Sequence, residues 1–279
     1  MKLIVLSAKK SFEVNCFIQA AKKKDIKTEL IKYQDISLNS KTKSTQISQK
    51  ITNADFIINK ASEDPHQLPL QIREALFKTI PEFKNKLLNG DTYHDFPVFS
   101  KLIQTIVFAT NDIPTPPTTY NKSNLTDQLP VVAKGLFGNN GSTVKLIKTR
   151  KQLEASFNRP TSLNPLLQKA LPLGEDYRVT VLGNKIINMY KKISPDGKFL
   201  TNITAGGKSV KVEESRKKEL SALALKTARV FNCEYGGVDI MYDSNRKPQV
   251  LEINRAPGFS TSGITQAETV IDYLLEKHQ

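Results

Sequence analysis

Tyr235-Gly236-Gly237-Val238-Asp239-Ile240-Met241-Tyr242 and Pro248-Gln249-Val250-Leu251-Glu252-Ile253-Asn254 stand on either side of Asp243-Ser244-Asn245-Arg246-Lys247. Both runs are rich in aliphatic and β-branched residues and the segment between them is polar, so they read as an antiparallel strand pair joined by a turn. With Asp243 and Pro248 flanking the turn residues Ser244, Asn245, Arg246 and Lys247, a symmetric hairpin sets Asp239 directly opposite Glu252. Side chains alternate along a strand, and a directly opposed pair shares a face. Asp239, Glu252 and Asn254 therefore converge on one face, while Val238, Ile240, Leu251 and Ile253 form the other and suit a core.

Two carboxylates facing each other across a strand pair repel. A cation relieves this, and a few hard oxygen donors are what magnesium takes while phosphate oxygens and water fill its other positions. The alternative is a solvated acidic pair on an exposed sheet face. Asn254-Arg255-Ala256-Pro257-Gly258 favours the site, because a Pro-Gly turn straight after the acidic strand end suits a rim.

Working outward, Gly135-Leu136-Phe137-Gly138-Asn139-Asn140-Gly141-Ser142 lies between strands expected at Pro130–Lys134 and Ser142–Ile147. Small residues allow positive φ and leave backbone N–H groups to cradle phosphate, with Lys134 at the strand end that enters the loop. The loop is neither a Walker motif nor GxGxxG, and a plain hairpin turn is the competing reading. Gly174-Glu175-Asp176-Tyr177-Arg178 opens another strand and places Asp176 and Arg178 on one face. An acceptor beside a guanidinium suits a ribose hydroxyl with a phosphate or carboxylate, and equally a surface ion pair. Asn202-Ile203-Thr204-Ala205-Gly206-Gly207-Lys208-Ser209 is a second glycine loop, preceded by the cations Lys191 and Lys192, or else an ordinary loop before a long helix at Glu213–Phe231.

The first third of the chain alternates strand and helix signals: strands at Leu3–Leu6, Glu29–Tyr33 and Phe56–Ile58, a helix at Phe12–Lys24, and a polar stretch at Asn39–Lys50 read as a surface loop with one helical turn. This order argues for a small parallel α/β domain. Helices are expected at Leu68–Thr79 and Val98–Thr110, the second ending before the prolines of Ile113-Pro114-Thr115-Pro116-Pro117. A helix at Thr149–Phe157, strands at Leu166–Leu171, Tyr177–Leu182 and Lys185–Lys192, and a closing helix at Ser262–Lys277 complete the pattern.

Composition bounds the partners. The 279 residues hold 41 Lys+Arg and 27 Asp+Glu, a net charge of +14, with two cysteines and no tryptophan. Cys16 and Cys233, with His66, His94 and His278, match neither a disulfide framework nor a zinc site, so free thiols in a reducing compartment are expected. No run approaches the ~20 apolar residues that span a bilayer, and the apolar run in Met1–Ser7 is too short for a signal-peptide core. A cytoplasmic protein without membrane contact follows. The positive surplus asks for an anionic partner. A nucleic-acid-binding protein wants lysines interleaved with exposed aromatics or a recognition helix; here lysines are spread over the chain, which disfavours that reading.

Taken together, the segments Val132-Ala133-Lys134 with Gly138–Ser142, Gly174–Arg178, Thr201–Gly207, Gly237–Ile240 and Leu251–Gly258 resemble the ATP-grasp superfamily of carboxylate–amine ligases, most closely the RimK-type glutamate ligases. The match runs from about Val98 to Gly263, and only in outline before it. The resemblance implies an α/β (α+β) ATP-grasp fold: an N-terminal parallel α/β domain over residues 1–97, a central grasping subdomain with the glycine loop over 98–182, and a C-terminal one with the metal site over 183–279. It implies that Lys101 and Lys134 contact ATP phosphates, that Gly138, Asn139, Asn140, Gly141 and Ser142 close over them, and that adenine bonds the backbone of Gln168-Lys169-Ala170-Leu171. Lys169 stands where a Glu is common. Asp176 lies at the ribose; Asp239, Glu252 and Asn254 fall on ligand positions for magnesium, or manganese in its place; Arg178, Lys192 and Asn202 fall near the γ-phosphate and acyl group, with Lys192 replacing a more usual Arg.

The implied reaction phosphorylates a carboxylate with ATP and lets an amine, glutamate being one candidate, attack the acyl phosphate. Positioning and charge neutralisation by magnesium, Lys and Arg carry such chemistry, and Arg178 with the Gly206-Gly207 amides would hold the oxyanion. The acceptor would be a small molecule, a peptide or an acidic protein tail, and a homo-oligomer stays open. A small-molecule kinase of the same superfamily is the alternative enzyme.

Overall fold

The computed structural model describes residues 1–36, 46–61, 68–121, 129–138, 143–157, 165–172, 174–194, 207–259 and 263–278. Strands β1 (Lys2–Ser7), β2 (Lys27–Lys32) and β3 (Phe56–Lys60) form a parallel sheet in the order β2-β1-β3. The unbroken aliphatic run of β1 reflects burial on both faces. Leu3 and Val5 pack on α1 (Phe12–Lys22) and on the last helix, α9 (Gly263–His278). Ile4 and Leu6 face the other way, into a core with Ile51 of α2 (Gln46–Thr52), Leu76 of α3 (Leu68–Thr79), Phe83 of α4 (Phe83–Lys86) and Tyr93 of α5 (Gly90–Asp95). The last helix thus packs on the N-terminal sheet. Helix α2 supplies the turn expected in the polar stretch, whose residues 39–45 lie outside the described ones.

Helix α6 (Lys101–Thr110) starts three residues later than the sequence suggests, because Ser100 caps it by accepting from Ile103 N at 3.2 Å. Beyond the prolines, β4 (Thr118–Thr119), β5 (Val131–Lys134), β6 (Val144–Ile147) and β7 (Leu166–Lys169) make an antiparallel sheet ordered β4-β7-β5-β6. Val131, Ala133, Ile147 and Leu167 turn toward Leu153 of α7 (Arg150–Phe157). The strand pairing leaves Val132, Lys134, Leu146 and Gln168 on the opposite face.

The third sheet is antiparallel in the order β10-β9-β8-β11-β12, formed by β8 (Glu175–Leu182), β9 (Lys185–Ile193), β10 (Lys208–Val210), β11 (Tyr235–Tyr242) and β12 (Pro248–Asn254). Tyr177, Val179, Val238, Ile240 and Ile253 lie under Leu220, Ala224 and Ala228 of α8 (Glu214–Val230). Arg178 and Asp239 are register partners on the other face. Hydrogen bonding ties β8 to β9–β12, so this sheet begins at Glu175, inside the segment 98–182.

The hairpin of β11 and β12 reaches the expected pairing by a different route. Its turn is Asp243–Lys247, closed by Asp243 N to Lys247 O at 3.0 Å, and Tyr242 pairs with Pro248. That alone would misalign Asp239 by one residue. The register shifts between Asp239 and Ile240, leaving Leu251 as an extra residue on β12, and Asp239 then stands opposite Glu252. Leu251 is accordingly half-buried and not the core partner of Ile240 that a symmetric hairpin requires. Bulges of this kind re-aim side chains beside functional sites.

Candidate active site

The polar face of the third sheet holds Asp239, 6% exposed, between two cations. Arg178 donates from Nε to Oδ1 at 2.6 Å and from Nη2 to Oδ2 at 2.8 Å, and Lys192 Nζ reaches Oδ1 at 3.2 Å. Lys192 also meets Asp176 Oδ2 at 2.9 Å, across the β8–β9 pairing that sets them opposite. Burial alone would raise the Asp239 carboxyl, but the Arg178 guanidinium and the Lys192 ammonium hold it well below the usual carboxylate range. Burial likewise opposes the charge on Lys192, and Asp239 and Asp176 outweigh it, so its pKa is raised.

On the neighbouring strand Glu252 accepts from Asn254 Nδ2 at 3.0 Å and pairs with Lys101 Nζ at 3.3 Å. Its carboxyl is lowered against the effect of burial, chiefly by Lys101. Lys101 sits at the start of α6; its ammonium donates to Gly138 O at 3.1 Å and its backbone N–H to Leu136 O at 3.0 Å. One side chain therefore joins the first residues of the glycine loop to the carboxylate strand. From the facing sheet, Lys134 donates to Gln168 Oε1 at 2.6 Å. Desolvation pushes its pKa down to about 8, although Glu252 lies near enough to oppose the shift. Gln104 of α6 accepts from Ile253 N at 2.9 Å and anchors the strand end from behind.

The structure thus brings together Lys101, Lys134, Gly138, Asp176, Arg178, Lys192, Asp239, Glu252 and Asn254, from four separate regions of the chain. Against the carboxylates of Asp176, Asp239 and Glu252 stand four cations, which leaves the cluster one positive charge in excess. Such a site suits an anion. Two carboxylates and a carboxamide on one face also fit, in type and number, a magnesium ion with phosphate oxygens and water completing its shell. Asp239 would share that role with its present partners Arg178 and Lys192. Two glycines are required here: Gly138 has φ 125°, and at Gly237 a Cβ would lie 2.8 Å from Arg178 Nη1 and 2.9 Å from Pro257 Cβ.

The linker meets this cluster at Gln168, the partner of Lys134. Lys169, Ala170 and Leu171 line a cleft of about 720 Å³ with Pro130, Leu146 and Gln249. It opens on the sheet face that also carries Lys134, since Leu146 and Gln168 are paired with Val132 on that face. Pro116, Pro117, Leu129 and Leu171 add apolar surface to it, which suits a planar base. The N–H groups of Lys169 and Ala170 donate to Pro117 O at 2.8 Å and to Pro130 O at 3.3 Å. Asn139, Asn140, Gly141, Ser142, Asn202 and Gly206 lie outside the described residues. Sequence reasoning missed Lys60, whose ammonium donates to Ala256 O and Pro257 O just beyond Asn254. The one signal for it is its place at the carboxyl end of a parallel strand.

The RimK-like ATP-grasp domain matches residues 105–274 of this chain. A relative named "Probable alpha-L-glutamate ligase 1", from Shewanella oneidensis, is 33% identical over 172 residues, which are 59% of this chain and 54% of the relative. The chain spans about half the length of the curated relatives it matches. Among solved structures, the RimK domain ATP-grasp protein of Sphaerobacter thermophilus has a TM-score of 0.71 at 16% identity, over 99% of this chain and 100% of that one. The ATP-grasp ligase PsnB, solved with minimal precursor, Mg and ADP, has a TM-score of 0.69 at 16% identity, over 99% and 97% of the two chains. At these identities the structures speak for the fold.

Proposed function

The chain belongs to the RimK-like ATP-grasp family, and on that premise we propose that it is an ATP- and magnesium-dependent ligase that joins a carboxylate to the amine of an amino acid. The observation that carries this reading is the sheet face on which Asp239 and Glu252 stand opposite each other, bracketed by Arg178, Lys192 and Lys101.

The residues divide the work. Lys101 and Lys134 bind phosphate oxygens, with Gly138, Asn139, Asn140, Gly141 and Ser142 over them. The cleft beside Lys169, Ala170 and Leu171 takes the base, and Asp176 the ribose. Asp239, Glu252 and Asn254 would hold magnesium, or manganese, which supplies charge neutralisation and in-line orientation of the phosphates when bound. A substrate carboxylate oxygen attacks the γ-phosphorus, ADP leaves, and an acyl phosphate forms. The amine then attacks the acyl carbon, phosphate departs, and the amine gives up a proton. Arg178 and Lys192 counter the charge that moves from phosphoryl to acyl oxygen, and Asn202 is assigned to the same step.

Glutamate is the amine proposed first, since a relative is named for it. The carboxylate comes from a small molecule, a peptide or an acidic protein tail; the solved PsnB carries a precursor. The division into parts at 1–97, 98–182 and 183–279, and a cytoplasmic location, belong to the same proposal; among the described residues no helix is long and apolar enough to cross a membrane. The test is ADP release that requires both co-substrates, with hydroxylamine trapping an acyl hydroxamate. A stable phosphorylated product without hydroxamate would identify a kinase instead.

A further inference from the structure

In the N-terminal sheet, ordered β2-β1-β3, the chain leaves β1 through α1 on one face and β3 through α3 on the other. The carboxyl ends of β1 and β3 therefore border a crevice, the place where open α/β sheets take their ligands. Ser7 and Lys60 are register partners there, and Ser7 Oγ donates to Lys60 O at 3.0 Å. Helix α1 begins beside them with Ser11 as its cap.

Lys60 is half-buried, and its ammonium donates to Ala256 O and Pro257 O at 2.9 Å each. Among the described residues no carboxylate oxygen comes within 4.0 Å of it. Glu13, which feels its charge, instead accepts from Ser11 Oγ at 2.8 Å. An ammonium carries three donors, so among the described residues one remains beyond the two carbonyls, with the Phe259 ring centroid 5.8 Å from the nitrogen. The charge of Arg178 acts on Lys60, and the next residue, Ala61, lines the same depression as Lys101, Gly138, Glu252 and Asn254. Desolvation pushes Lys60 down to about 8, with Arg178 adding to the shift and Glu13 opposing it.

We propose that Lys60 reads the amino-acid co-substrate: its third N–H binds the carboxylate that takes no part in the reaction and so turns the amine toward the acyl group at Arg178. This rests on the ligase reading above. The competing role is a purely structural clamp on the Ala256 and Pro257 carbonyls.

The two are separated by calorimetric titration of the full chain, loaded with magnesium and a non-hydrolysable ATP analogue, with L-glutamate and with its two monoamides. Loss of one charge-assisted hydrogen bond is expected to weaken L-glutamate by about tenfold or more in Lys60→Gln. Lys60→Arg should restore most of the affinity, and nucleotide affinity should stay as in the unaltered protein. One monoamide should bind equally to the unaltered protein and to Lys60→Gln, which identifies the carboxylate that is read. Equal L-glutamate affinity in Lys60→Gln, a parallel loss of nucleotide affinity, or an unaltered protein that does not bind L-glutamate overturns the assignment. ADP release and amide formation with an amine that lacks a carboxylate, as readily as with L-glutamate, would overturn it and leave the ligase reading standing. Absence of hydroxamate with every pair of co-substrates would instead remove the ligase reading.

Discussion

Arg178 and Asp239 form a doubly hydrogen-bonded ion pair, 2.6 and 2.8 Å, between adjacent strands and 61 residues apart in the chain. Both are well shielded, with side-chain exposures of 16% and 8%. Asp239→Asn leaves the guanidinium buried without its counter-charge, and breaking a buried pair in this way costs about 3–5 kcal/mol. Because the carboxyl is depressed in the folded state, its contribution is present above the unfolded pKa and is lost as pH falls through and below about 4. Urea unfolding of the two proteins at neutral pH, and again in acid where the difference should shrink, checks both statements.

Glu252→Gln keeps an oxygen to accept from Asn254 and removes the charge that faces Lys101. Removing a charge that organises a phosphoryl-transfer site should lower ADP release by roughly 100-fold or more. The melting temperature should hardly change, since the Lys101 pair is loose at 3.3 Å. Near-normal turnover would mean that the hairpin face is not the metal site.

Gly237→Ala tests the close approach behind Arg178. The added methyl would meet Arg178 Nη1 at 2.8 Å and Pro257 Cβ at 2.9 Å, and the proline ring cannot rotate away. Overpacking of this kind destabilises by about 1–3 kcal/mol. Turnover at a temperature where the variant is fully folded should fall further than stability explains, because the guanidinium is displaced. Thermal unfolding and steady-state rates on one preparation separate the two effects.

Lys134 loses its proton near pH 8 in the free protein, well below its ordinary 10.5. A triphosphate beside it favours the charged form. Nucleotide binding above pH about 8 should therefore take up a proton and weaken as pH rises, so that its heat depends on the buffer's ionisation enthalpy. Lys134→Gln should abolish that dependence. In the free protein the sign is opposite: between about 8 and 10.5 the unfolded chain holds a proton that the folded one has released, so this lysine makes the fold more stable as pH rises through that window.

The face of the hairpin was legible because strand alternation is a local, period-two property: Glu252 and Asn254 share a side whatever else the chain does. The pairing of Asp239 with Glu252 was legible only in outcome. A turn one residue longer and the bulge at Leu251 offset each other, and neither leaves a distinct mark in sequence. Short helices such as Phe83–Lys86 and Gly90–Asp95 went unread, since a single turn carries no periodicity. Lys169, Ala170 and Leu171 line a cleft, and the commitment of the Lys169 and Ala170 N–H groups to Pro117 and Pro130 depends on chain segments distant in sequence.

By itself the sequence determined which residues share a strand face, where buried aliphatic runs must form a parallel sheet, and that a surplus of cations needs an anion. The tertiary structure decided which cation meets which carboxylate, Arg178 and Lys192 on Asp239 and Lys101 on Glu252, and it set Lys60 against the Ala256 and Pro257 carbonyls. It also placed α9 against α1 on the N-terminal sheet. Spacing along the backbone fixes direction, whereas Coulomb energy depends on distances between side chains that only the packing of three sheets sets.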